Sequence, residues 1–118
     1  MLDEESKYWI QSIESELFNN SKYLYNELME ASDISLNLID LRLSEIFALK
    51  IQLKASLISR NLMDFPFAEL IISWEQLYLQ MKLVVSKNDK NTSWLCSAYS
   101  TYETHHKDIN LLLDAIKY

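Results

Sequence analysis

Glu103 and His106 stand three residues apart, an E-x-x-H pair whose two side chains share one face of a helix. That unit supplies two ligands in helical di-metal sites, which also need a second such pair and two further carboxylates. The chain has only one other histidine, His105, directly beside the first. A second pair cannot be built, so no metal ligands are assigned. The lone cysteine, Cys96, invites comparison with histidine-activated nucleophiles. On one continuous helix it lies roughly 14–15 Å along the axis from His105 and His106 at 1.5 Å per residue. Nucleophile activation requires contact at about 3 Å. Beside Trp94 and Leu95, Cys96 is expected to be a small core residue. The absence of glycine excludes glycine-rich phosphate loops. No catalytic residue and no cofactor is assigned, and the expectation is that the protein is not an enzyme.

The remaining chemistry is charge. The net charge is −6, and it is unevenly placed. Residues 1–33 hold eight acids against Lys7 and Lys22, whereas acids and bases balance over residues 34–118. Backbone binding of nucleic acid needs a clustered positive surface, so nucleic acid is not expected as a ligand. A basic protein is the natural complement. The candidate partner-binding residues are Glu14, Glu16, Tyr23, Glu27, Glu30 and Asp33. Tyr23, Glu27 and Glu30 follow four-three spacing, which sets an aromatic ring beside two carboxylates on one helix face. Tyrosine is favoured at interface hot spots, and carboxylates steer a basic partner during encounter. In the first helix the acids flank the apolar stripe on both sides and make no single acidic face.

These residues need elements to hold them. A chain of 118 residues, 49% hydrophobic and 24% charged, is read as one folded domain. Apolar spacing predicts an all-α, single-domain helical bundle of about five helices, over residues 4–18, 22–31, 34–62, 66–86 and 93–117. Trp9, Ile10, Ile13 and Leu17 form the expected stripe of the first helix. Asn19-Asn20-Ser21 is read as a break with Ser21 capping the second helix, and Ser32-Asp33 as the next. Leu36, Ile39, Leu43, Ile46, Lys50, Leu53, Leu57 and Arg60 form a heptad-spaced stripe. Ile34, Leu38, Leu41 and Leu49 lie off it, which predicts a helix wrapped on more than one side at the centre of the bundle. Lys50 is read either as a polar contact that marks a pairing register or, as the favoured reading, as a packed stem that carries its charge to solvent. Pro66 marks a boundary. Beyond it Phe67, Leu70, Ile71, Trp74, Leu77, Tyr78 and Met81 keep helical spacing, as do Leu95, Tyr99, Tyr102, His106, Ile109 and Leu113 after the polar loop Ser86–Asn91.

No run of about 20 uncharged apolar residues is present, so no membrane span is expected. The opening MLDEESKYW is acidic where a secretion signal is basic and then apolar, and a single cysteine allows no internal disulfide. A cytoplasmic setting follows as the expectation. Small, acidic and with tyrosines near carboxylates, the chain is similar in type to helical nuclease-immunity proteins. No motif is shared, so no residue roles are carried over. The resemblance implies an inhibitor that neutralises a basic toxin by direct binding. The alternative is a helical secretion chaperone or adaptor, or a self-associating bundle whose apolar groove pairs with other helices.

Overall fold

In the computed structural model, which describes residues 2–30, 36–87 and 93–117, the apolar spacing closes into four helices rather than five. They are α1 (Glu4–Glu30), α2 (Leu36–Ser59), α3 (Phe67–Lys87) and α4 (Ser93–Ala115). The expected break at Asn19-Asn20-Ser21 does not occur, and α1 is one helix of 27 residues. The reason lies in its buried stripe. Leu17, Ser21, Leu24 and Leu28 are spaced four, three and four, and all are buried. Two asparagines cost the helix roughly 0.5 kcal/mol each, whereas each buried leucine contributes about 1.5–3 kcal/mol. Only an unbroken helix keeps all four in register. The Asn20 amide donates to the Glu16 carbonyl oxygen (2.7 Å), within its own helix. Ser21 does not cap: its hydroxyl accepts from the Trp74 indole N–H of α3 (2.9 Å) inside the core. The true cap is Asp3, whose carboxylate accepts from the Ser6 backbone N–H (2.6 Å). That hydrogen bond holds the Asp3 carboxyl below its usual range.

Neighbouring helices run antiparallel. Lys7 meets Ile116, Gln11 meets Asp114, Glu14 meets Asn110 and Tyr25 meets Tyr99, so numbers fall along α4 as they rise along α1. Phe47 against Tyr78 and Lys50 against Glu75 give the same sense for α2 and α3. The result is an up-down-up-down bundle measuring 48 × 23 × 18 Å.

The expected central helix is also corrected. α2 packs against α1 and α3 but makes no contact with α4 among the described residues, whereas α1 and α3 each touch every other helix. The heptad stripe of α2 does face the core: Ile39, Leu43, Ile46, Lys50, Leu53 and Leu57 are buried. Of the residues off that stripe, Leu49 is half-buried against the core, as expected, but Leu38 and Leu41 are not. Leu38 and Leu41 are 44% and 56% exposed, so they give α2 an apolar outer face instead of a second layer of neighbours. Ile34, Ser32 and Asp33 lie outside the described residues.

Lys50 differs from its favoured reading as well. Its ammonium meets the Glu75 carboxylate at 3.5 Å and lies 4.5 Å from the Phe47 ring centroid, with its side chain only 9% exposed. The buried stem is as expected; the charge is taken up by Glu75 instead of water.

α2 stops at Ser59, short of the expected Leu62, for a local reason. Asn61 adopts a φ of 57°, the left-handed region. Its N–H donates to the Ile58 carbonyl (3.0 Å), and the Leu62 N–H reaches back to the Leu57 carbonyl (2.8 Å). This is a Schellman motif, with asparagine in the place usually taken by glycine.

Candidate functional site

The continuity of α1 creates a face that two separate helices could not share. Glu5, Tyr8, Ser12, Glu16, Asn19, Tyr23, Asn26 and Glu30 follow one another at intervals of three or four, and every one is exposed. Three carboxylates and two tyrosines thus line a single stripe opposite the core, with no base on it. From Glu5 to Glu30 it runs roughly 37 Å at 1.5 Å per residue. Tyr8 is 72% and Tyr23 54% exposed.

Of the sequence-predicted residues, Glu16, Tyr23 and Glu30 lie on this stripe. Glu27 sits at its edge, turned toward α2, where its carboxylate pairs with Arg42 Nε at 3.5 Å. The same guanidinium lies 4.6 Å from the Tyr23 ring centroid. Arg42 therefore neutralises Glu27 and stacks on Tyr23, fixing that ring at the cost of part of the local negative charge. Asp33 lies outside the described residues. Glu5 and Tyr8 were missed in the sequence. Their three-four spacing to Glu16 and Glu30 was legible, but an assumed break at residues 19–21 cut the stripe in two.

Glu14 is elsewhere altogether. It faces inward, 1% exposed, and is unavailable to a partner docking on the surface. Its Oε1 is hydrogen-bonded to His106 Nδ1, and its Oε2 accepts from the Asn110 amide (3.1 Å). Asn110 also donates to the His106 carbonyl oxygen (2.9 Å). Phe18, one turn along α1, stacks flat on the imidazole, with ring centroids 3.6 Å apart and planes 2° from parallel. A buried carboxylate is tolerated only when it is paired and hydrogen-bonded. Here α1 supplies the carboxylate and the covering ring, and α4 supplies both donors at i and i+4.

Tyrosines extend this seam. Tyr25 and Tyr99 stack at 4.0 Å, and Tyr99 donates to the Glu103 carboxylate (3.1 Å). Burial first, then the contact with Cys96 and the charge of Glu103, push the Tyr25 phenol up to about 12. Burial and Glu103 raise Tyr99 as well. Tyr102 is raised by burial and then by the Glu14 carboxylate, and its hydroxyl is buried without a hydrogen-bond partner.

The residues first considered for chemistry separate. Glu103 bonds Tyr99 and lies 3.8 Å from Lys107, so it serves α4 itself rather than a ligand set with His106. No group of three or more metal-ligating side chains occurs among the described residues. Cys96 is exposed, not in the core. Because α4 is continuous from Ser93 to Ala115, Cys96 and His106 stay roughly 15 Å apart along its axis. A carboxylate-oriented imidazole is the pair used in general-base catalysis. In this fold its ring is covered by Phe18 and its second partner is an amide, an arrangement that locks two helices together.

A groove of about 370 Å³ runs between α3 and α4, lined by Glu69, Gln76, Trp94, Thr101 and His105 among others. Among the described residues no helix is long and apolar enough to cross a membrane. No protein-family model matches this chain, and no curated protein or solved structure matches it either.

Proposed function

We propose that this protein binds and blocks a basic partner protein through the exposed face of α1, in the manner of an immunity protein or antitoxin that neutralises a cytoplasmic toxin. The observation that carries the reading is the stripe Glu5, Tyr8, Glu16, Tyr23 and Glu30, none of whose own residues is a base, although Arg42 of α2 lies against Tyr23. Carboxylates spread along some 37 Å of rigid helix give a field that accelerates encounter with a cationic surface. The two tyrosines add contact area at small conformational cost, since each has only two side-chain torsions to fix. Tyr23 is already held by Arg42, so little order remains to be imposed on binding. A nuclease with a cationic substrate groove is the concrete partner class that such a face fits.

The test is retention of basic proteins from source-cell lysate on the immobilised chain, compared with the Glu16→Lys/Glu30→Lys variant. A basic protein retained at low salt, released at high salt and lost with the double variant is the expected result. The captured protein should then lose its toxicity when the wild-type chain is co-expressed. Retention that survives both salt and charge reversal would sink the reading. Both positions are exposed, so the variant is expected to fold as the parent does.

A further inference from the structure

The outer face of α2 carries a second stripe, chemically unlike that of α1. Leu41, Ser44, Ala48, Ile51, Ala55 and Ile58 follow three-four-three-four-three spacing, and all six are exposed. Leu41, Ile51 and Ile58 keep 56%, 49% and 58% of their surface in water. None of the six is charged. Heptad spacing of this kind is the pattern of a helix-pairing seam. α2 therefore has two such seams on opposite sides, one filled by the core and one facing outward.

We infer that this outer stripe pairs with the same stripe of a second copy, antiparallel, about a two-fold axis passing between Leu49 and Lys50. A two-fold interface must be complementary to itself, and this stripe is. In that register Leu41 faces Ile58, Ser44 faces Ala55 and Ala48 faces Ile51 of the partner copy. Leu41 with Ile58 closes each end, Ser44 with Ala55 lets the backbones approach, and at the centre each Ile51 packs over the small Ala48 of the other copy.

Charge selects the direction. Asp40 and Lys54 lie on one flank of the stripe and Glu45 on the other. The antiparallel two-fold brings like flanks together, placing Lys54 of one copy about five residues, roughly 7.5 Å of axial rise, from Asp40 of the other. A parallel pair would instead set Asp40 near Glu45 across the seam, acid against acid. Phe47, 38% exposed on the Lys54 flank, widens the contact. A specific interface needs to bury about 1,000 Å² or more in total, and the exposed Leu41, Phe47, Ile51 and Ile58 of both copies supply the large apolar side chains of that area. The acidic stripe of α1 belongs to another helix, so a dimer would still present it, twice.

Sedimentation equilibrium of the full chain over a wide concentration range tests the inference. The expected result is a reversible monomer–dimer equilibrium, with the dissociation constant raised about tenfold or more by Ile51→Glu while helicity and melting temperature of the monomer are unchanged. Lys54→Glu should weaken the dimer by placing two acids across the seam, and Asp40→Lys/Lys54→Glu should restore it by reversing both partners. A chain that stays monomeric throughout, or a dimer insensitive to Ile51→Glu, overturns the pairing. A dimer broken by Ile51→Glu but indifferent to the charge swap overturns the antiparallel register.

Discussion

The seam between α1 and α4 and the inner face of α2 are built on the same residue spacing and held by different physics. The inner face of α2 is aliphatic: Ile39, Leu43, Ile46, Leu53 and Leu57 with Lys50 as its one buried charge. The α1–α4 seam is polar and aromatic, with Glu14, His106 and Asn110 joined beneath Phe18 and continued by stacked tyrosines. Burial of aliphatic surface is non-directional and tolerates small shifts of one helix along another. A buried carboxylate with two donors on one facing helix does not. The α1–α4 seam therefore sets the register of the bundle, and the α2 face contributes area.

The comparison is broken most sharply at His106. His106→Ala strips a buried carboxylate of its closest partner and removes the ring that Phe18 covers. A loss of about 3–5 kcal/mol is expected, read as a shift of the urea-unfolding midpoint. Removing both partners together, as Glu14→Leu/His106→Leu, should recover most of that loss, because no uncompensated charge stays buried. A double variant as unstable as the single would show that the pair contributes more than the cost of its own burial.

Leu53→Ala is the matching cut in the α2 face. Leu53 is fully buried, and its truncation is expected to cost about 2–5 kcal/mol through lost transfer energy and the cavity left behind. No second substitution should rescue it in the way that the Glu14→Leu/His106→Leu pair recovers the loss at His106. That difference in rescue, more than either magnitude, separates the two kinds of packing.

Alkaline titration sharpens the contrast without mutation. Tyr25, Tyr99 and Tyr102 all have phenol pKa values raised above the ordinary 10.0, Tyr25 to about 12. Between pH 10 and 12 the folded state holds protons that the unfolded chain has released, so stability falls as pH rises. The contribution is fully present below pH 10. Tyrosinate absorbance and helicity should thus change together above pH 10. Amide exchange should rise first along α4 rather than along α2, whose neighbour Tyr78 is raised by burial alone. Ionisation of Tyr25, Tyr99 and Tyr102 near 10 with no loss of helicity, read against variants in which the exposed Tyr8 and Tyr23 are changed to phenylalanine, would contradict the buried seam.

Much of this was legible in the sequence, and the failures share a cause. Spacing marks the stripes of α2, α3 and α4, and from Ile39 onward the side chains at those positions are buried or half-buried. What spacing could not supply was polarity in the core. Glu14 and Ser21 occupy core positions of α1 in perfect helical phase, but as a charge and a hydroxyl they were assigned to the surface and to a cap. Their partners, His106 with Asn110 and Trp74, are 53 or more residues away, so nothing local marked them. Trp9 failed in the opposite direction: in phase with Ile13 and Leu17, it is 52% exposed and bonds Ser56 through its indole N–H (3.3 Å). Leu38 and Leu41 by their spacing suggest more neighbours, although an apolar side chain can equally await a partner outside the chain.

The smallest expected effect lies where α2 ends. Asn61 holds a positive φ and allows Leu62 to fold back so that its N–H reaches the Leu57 carbonyl. In a chain without glycine this one asparagine performs the turn. Asn61→Gly removes the Cβ conflict of the left-handed conformation but frees the unfolded chain, and the two effects should nearly cancel, to within about 0.5 kcal/mol. Asn61→Ala keeps the Cβ and loses the polar side chain that eases this conformation, so a cost of about 1 kcal/mol is expected. Equal stability of the alanine and glycine variants would mean that the αL turn contributes nothing to the end of α2. A glycine variant at parental stability beside a weakened alanine variant would show that backbone geometry, not the asparagine side chain, stops the helix and fixes how much of α2 faces the core.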